Sequence, residues 1–336
     1  MMNFLRSKGI ELHPRVYFIT ALTYMAYGLF ASMIIGLIMQ TIGEYAHIPL
    51  LAAAGTLAIK YYGAAIGGAV SYGLKAPPLV LFASIVCGAY AVEAGGGPAG
   101  AYVAAVIGTE LGKLISKSTP LDIILTPLVV LTAGCWAGEY LGSYISEGMI
   151  WFGELINWSV GRHPFVMGIL VATLMGLALT APISSAAIAI MLGLDGLAAG
   201  AATIGCSAQM IGFAVSSYRE NGIGGLLAQG IGTSMLQISN IIRNPLILIP
   251  PTAAGIILAP IGTVWWKMEN VKEGAGMGTS GLVGQIFTLH TMGYELEVFL
   301  KILVLHFIGP AVFSLAISEW FRRRSWIKPN DMKLEL

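Results

Sequence analysis

Long apolar runs, closely spaced and almost free of charge, constrain this chain more than any other feature. They occupy roughly 16–39, 48–72, 79–92, 99–115 and 121–145. The pattern resumes at 165–179, a short run ending at Leu194, 198–215, 223–238, 246–265 and 297–317. Most approach the ~20 residues that carry a helix across a hydrocarbon core. A soluble globule needs about 25% charged residues to face water. Here the share is 10%, against 56% hydrophobic, so lipid must replace water over most of the surface. The fold class that follows is an all-α polytopic membrane protein.

Eleven runs are one too many for the sidedness of the ends. Arg6, Lys8 and Arg15 precede the first run, and Arg322, Arg323, Arg324 and Lys328 follow the last. By the positive-inside rule both termini are cytoplasmic. That demands an even number of crossings, and ten transmembrane helices are expected, with residues 219–293 the ambiguous stretch. The apolar run after residues 1–15 is long enough to be a retained span rather than a cleaved leader. With a net charge of +1 and no basic stripe between the termini, a nucleic-acid partner is excluded. Cys87, Cys135 and Cys206 lie in apolar runs without metal-ligand spacing and read as small buried hydrophobes. No cofactor or metal is expected.

The chain divides into a first half (1–147), a segment at 148–162 and a second half (163–336). The middle segment mixes Trp151, Phe152, Leu155 and Trp158 with Glu154 and Asn157, a pattern suited to an amphipathic helix at the membrane interface. Each half contains an Ala-Pro break, a short apolar run, a small-residue turn and a full run. At one constant offset the echo pairs Gly88 with Gly193 and Gly95 with Gly200. Repeated broken segments point to re-entrant or broken helical hairpins around a transport site.

No enzyme motif survives inspection. Gly276-Met277-Gly278-Thr279-Ser280-Gly281 fits Gly-x-Gly-x-x-Gly but lacks the strand and acidic residue of a dinucleotide fold. In a membrane it reads as a re-entrant turn with backbone amides open to a solute. The candidate substrate-binding residues cluster in the second half. They are Ser184 and Ser185 after the Ala-Pro break, Gln209, Gln229, Thr233, Gln237, Asn240, Thr279, Ser280 and His290. Gln229, Thr233 and Gln237 are four apart and share one face of a helix. Neutral amides and hydroxyls both donate and accept, which suits a small polar, sugar-like solute. His290 is preferred to His306 because it follows the Gly-rich turn. Lys60, Glu110 and Glu139 lie inside apolar runs, where a bare charge costs at least about 2.5 kcal/mol. They are expected to face the bundle interior or a cavity, as possible proton or ion couplers. Glu110 and Lys113 are spaced for an i, i+3 pair.

Longer motifs carry a resemblance. Residues 180–188 (Thr-Ala-Pro-Ile-Ser-Ser-Ala-Ala-Ile), 205–210, 229–237 and 274–284 resemble the EIIC-like membrane family of the phosphotransferase system. The branch they look most like is the stand-alone one that includes the regulator of perfringolysin. The resemblance implies a ten-span homodimer in a bacterial cytoplasmic membrane, with re-entrant hairpins and an interfacial helix. It also implies a sugar phosphorylated during passage by phosphate from a cytoplasmic partner. Where glucose-type members carry Gly-Ile-Thr-Glu-Pro, this chain has Leu179-Thr180-Ala181-Pro182, and Ala181 stands in the place of the sugar-binding glutamate. Any phospho-carrier proteins must be separate chains. Three functions follow: a permease with a midplane site, a membrane sensor that binds without transport, and a phosphotransferase permease subunit served by separate IIA and IIB chains.

Overall fold

The computed structural model describes residue 5 and residues 7–334. Arg6, counted above among the N-terminal cations, lies outside them. Every regular element among the described residues is helical, and a single isolated bridge joins Gly196 to Asn270. Among the described residues, five helices are long and apolar enough to cross a membrane: Val16–Glu44, Asp122–Gly142, Gly196–Ser216, Pro245–Trp265 and Leu296–Arg323. A sixth is added if Pro49–Lys60 and Tyr62–Gly73, bent by 58° at Tyr61, form one broken span. The ten expected crossings are not reached by length and composition, because breaks shorten the remaining apolar runs. Pro78–Glu93 and Pro164–Thr180 have 16 and 17 residues.

The last long helix explains why such a chain lives in lipid. Leu296, Leu300, Leu303, Ile308, Val312 and Leu315 are exposed along it, while His306, Ser314 and Ser318 are buried. Apolar outside and polar inside is the inverse of a water-soluble helix.

The chain forms two compact units, Met1–Gly148 and Met149–Leu336. The helix Asp122–Val160 passes through the boundary unbroken, so the segment expected as a separate interfacial helix is its continuation. That part buries Gly153, Ile156 and Ser159 and exposes Trp151, Glu154, Asn157 and Trp158.

In the second unit, Gly196–Ser216 is the central helix. It is made largely of Ala, Gly, Ser and Cys, and 89% of its apolar window is buried. Small side chains let Pro164–Thr180, Ile249–Pro260 and Gly309–Arg323 all pack against it. A Cβ at Gly205 would fall on the carbonyl oxygen of Ala172, so backbone meets backbone there.

The breaks fall where local chemistry puts them. The run 223–238 is not one rod: a π-helical turn at Ala228–Gly232 ends at Thr233, whose φ of −159° and ψ of 142° are extended. A 3₁₀ turn, Ser234–Gln237, and a short helix, Ile238–Arg243, follow. The single helical face expected for Gln229, Thr233 and Gln237 is therefore interrupted, because the Thr233 hydroxyl caps the new turn by accepting from Met235 N. Nor do the echoed glycines match in conformation. Gly193 and Gly95 have φ of +58° and +90°, while their counterparts Gly88 and Gly200 are helical.

Candidate functional site

Polar groups of the second unit gather in three places along the central helix. About one turn past its midpoint, Thr180 Oγ1 lies 2.8 Å from Ser234 Oγ and donates to Gln209 Oε1, while Gln209 Nε2 donates to Thr252 Oγ1 at 2.8 Å. Four chain segments thus meet at one buried, mutually satisfied junction.

The second place is a run of carboxamides. Gln237 Nε2 donates to Gln229 Oε1 at 2.8 Å, Gln229 Nε2 to Ser217 Oγ at 2.9 Å, and Asn240 Nδ2 to Gln237 Oε1 at 2.7 Å. Eight residues separate Gln229 from Gln237, and the break at Thr233 brings them together. Gln237 and Asn240 also donate to the backbone oxygens of Met332 and Lys333. The hydrogen bonds of these three expected site residues are made within the protein.

The third place is the Gly-rich segment, which lies halfway along the central helix. A Cβ at Gly278 would press on Cys206 and Ser207, and one at Gly276 on the Ser185 carbonyl. These glycines serve close backbone packing, where an open turn was expected. Two expected site hydroxyls clamp the segment: Ser185 Oγ donates to Gly276 O at 2.7 Å, and Thr279 Oγ1 donates to Gly230 O. Ser184 is half-buried beside them. The backbone is then left-handed at both Gly281 and Leu282, with φ of 53° and 60°. A left-handed leucine is a strained conformation of the sort concentrated at functional sites.

Beside that strain, hydrogen bonding is incomplete. Ser280 Oγ, Gln285 Oε1 and His306 Nε2 are buried and lack partners among the described residues. Gln285 Nε2 lies 3.1 Å from His306 Nδ1 and 3.4 Å from Ser207 Oγ. His306 occupies a π-helical stretch, Leu303–Ile308, a distortion frequent at functional sites. Below it, Asn270 is fully buried and its Nδ2 reaches Thr203 Oγ1, Gly284 O and Thr288 Oγ1 at 2.8, 3.0 and 3.1 Å.

His290, preferred on sequence, is exposed, and His306 is the buried histidine. His306 and Asn270 are not among the expected site residues, and Gln285 is expected only as part of the wider polar cluster of the second half, without its pairing to His306. The pair is 21 residues apart in sequence, and Asn270 sits among Lys267, Glu269 and Lys272, where it reads as ordinary loop.

In the first unit, Lys113 Nζ and Glu110 Oε1 form the anticipated i, i+3 pair at 3.1 Å, with Lys113 2% exposed. Lys113 also donates to Gly9 O. Lys60 and Glu139 face outward rather than into the bundle. Lys60 ends its helix at the bend, with its ammonium 5.7 Å from the Tyr61 ring, and Glu139 accepts from Tyr90 OH at 2.8 Å.

Residues 19–334 match the family described as phosphotransferase system, EIIC. No curated protein and no solved structure matches the chain. Members of the family generally work in a membrane with separate IIA and IIB phospho-carrier proteins. A match running over nearly the whole chain settles the family: this is an integral membrane protein of the phosphotransferase-system EIIC family, with the permease-type role that membership carries.

Proposed function

We propose that the chain moves a small polar, sugar-like solute and binds it in the second unit, halfway along the central helix, around Ser280, Gln285 and His306. One observation carries this reading. With Gln285 Nε2 donating to His306 Nδ1, the remaining imidazole proton sits on Nε2. That leaves a donor on His306 and an acceptor on Gln285, both buried and unfilled. Each such group costs about 1–3 kcal/mol while unpaired. A hydroxyl both donates and accepts, so it complements the pair where a carboxylate or an ammonium would not. Transporter sites lie near the midplane among interrupted helices, which agrees with the position beside Ser207. Ser184, Ser185 and Thr279 then frame the site. Gln209, Gln229, Thr233, Gln237 and Asn240 hold the segments around it. Glu110, paired to Lys113, is the remaining candidate for ion coupling. The protein works as a homodimer with both termini in the cytoplasm of a bacterial cell.

The test is uptake by liposomes containing the purified protein, offered a panel of labelled sugars, polyols and nucleosides. At least one solute should accumulate, and Gln285→Leu or His306→Phe should slow its uptake by tenfold or more without loss of monodispersity. No uptake across the panel would sink the reading.

Ala181 favours a second reading. Without a carboxylate before Pro182, the chain lacks the sugar contact of glucose-type permeases and fits a sensor that binds without phosphorylating. Vesicles supplied with phosphoenolpyruvate and the general carriers should then yield no sugar phosphate, while deletion of the gene alters transcripts and leaves uptake intact. Appearance of sugar phosphate would instead make the chain a phosphotransferase subunit served by separate IIA and IIB proteins.

A further inference from the structure

Beyond the last long helix, the chain turns at Ser325, where φ is +58°, and runs back over the second unit. Its backbone is gripped by side-chain carboxamides. Asn221 makes a two-point hold, its Nδ2 donating to Met332 O at 2.8 Å and its Oδ1 accepting from Leu334 N at 2.8 Å. Gln237 donates to Met332 O at 3.0 Å, Asn240 to Lys333 O at 3.0 Å, and Asn244 to Trp326 O at 3.0 Å. Three apolar side chains seat the segment: Ile327, Met332 and Leu334 are 1%, 0% and 7% exposed, while Lys328 and Lys333 face out. Ile327 and Met332 join Phe213, Ile247 and Phe321 in one apolar cluster.

The gripping residues belong to the part of the unit least able to hold its own shape. Between residues 228 and 243 the chain is a π turn, an extended residue, a 3₁₀ turn and a six-residue helix. Pieces this short do not persist in isolation, so their partners set their conformation. On one side those partners are residues 326–334. On the other, Gly230 O accepts from Thr279 of the Gly-rich segment, and Ser234 meets Thr180. Met332 thus connects through Gln237, Gln229 and the 228–234 backbone to Thr279.

We propose that residues 326–334 are a releasable strap, whose seating fixes the interrupted run 228–243 and, through Thr279, the Gly-rich segment. The carboxamides of Asn221, Gln237 and Asn240 hold backbone atoms, Asn244 also holds the Asp331 carboxylate, and apolar contact completes the seat. Anything that draws Met332 out of the apolar cluster and Leu334 from its buried seat frees Asn221, Gln237 and Asn240 together. The inference goes beyond the transport reading and does not depend on it.

Hydrogen exchange by mass spectrometry on the full chain in lipid nanodiscs tests it. The double variant Met332→Asp/Leu334→Asp should unseat the strap while leaving every gripping amide in place. Exchange in 228–243 and in 276–282 should rise tenfold or more, with Pro49–Gly73 unchanged. A synthetic peptide of residues 325–336 should restore protection. Should the double variant not fold, Met332→Ala is read by the same criteria. The proposal is overturned if the strap exchanges freely while 228–243 stays within twofold of the unaltered protein. It is equally overturned if exchange rises alike in 228–243 and Pro49–Gly73, since Met332 would then be ordinary core.

Discussion

Asn270 shows how much one buried amide can decide. Its Nδ2 has three acceptors within reach, on the central helix, on the backbone of Gly284 and on Thr288, and its Oδ1 accepts from Val271 N at 2.8 Å. Replacing it with Ala removes these bonds together, at about 1 kcal/mol each, and leaves Val271 N without its acceptor, while Thr203, Thr288 and Gly284 keep their other bonds. Asn270→Ala should therefore cost about 3 kcal/mol and lower the thermal midpoint in detergent by roughly 5–10 °C. Lys328→Ala, on the exposed turn of the strap, should leave the midpoint unchanged. An equal fall for both would mean that the Asn270 bonds are replaced by water at no cost. Sequence gave no warning of Asn270, because burial of a polar loop residue is decided by where the neighbouring helices close.

Helices are where the sequence spoke most clearly, and their interruptions are where it spoke least. The apolar runs at 198–215, 246–265 and 297–317 became Gly196–Ser216, Pro245–Trp265 and Leu296–Arg323, since lipid imposes a length that composition records. The break at Thr233 left no such trace. A four-residue spacing looks continuous on paper, and one hydroxyl turned onto Met235 N is enough to end it. The glycines were visible as an excess, yet their partners were not. Gly205 owes its place to the carbonyl of Ala172 on the adjacent helix, a contact fixed only when Pro164–Thr180 docks. Gly205→Ala should force these helices apart, at more than about 3 kcal/mol, above the usual range for overpacking because rigid backbone is struck. Gly148→Ala has the opposite sign: a Cβ there meets nothing within 4 Å, and the swap should gain up to about 1 kcal/mol of helix propensity. Thermal midpoints of the two variants moving in the same direction would refute the packing account.

At the scale of the whole molecule, each unit carries its own electrical polarity. In the first, Lys8 Nζ bonds Ser116 O at 2.8 Å and Ser118 Oγ at 2.6 Å, and Lys75 and Lys113 line one cavity of about 100 Å³ with Gly9 and Glu11. Lys8, Lys75, Lys113 and Lys117 therefore share an end. In the second, Arg219 pairs with Glu319 and Arg322 with Glu220, beside Arg323, Arg324 and Lys328 at the Ser216 end of the central helix. By the positive-inside rule each basic end is expected to face the cytoplasm. The helix Pro78–Glu93 starts three residues after Lys75, and its 16 residues span about 24 Å, short of a core about 30 Å thick. Labelling with a membrane-impermeant maleimide decides whether it crosses. Lys117→Cys and Asn330→Cys should react only in inside-out vesicles, and Glu93→Cys and Glu273→Cys only in intact cells. If Glu93→Cys reacts from the same side as Lys117→Cys, the hairpin of Pro78–Glu93 and Gly97–Ile115 enters and leaves by one face. A count of ten would then fail for a physical reason, because a thinned bilayer costs more there than a turn buried in protein.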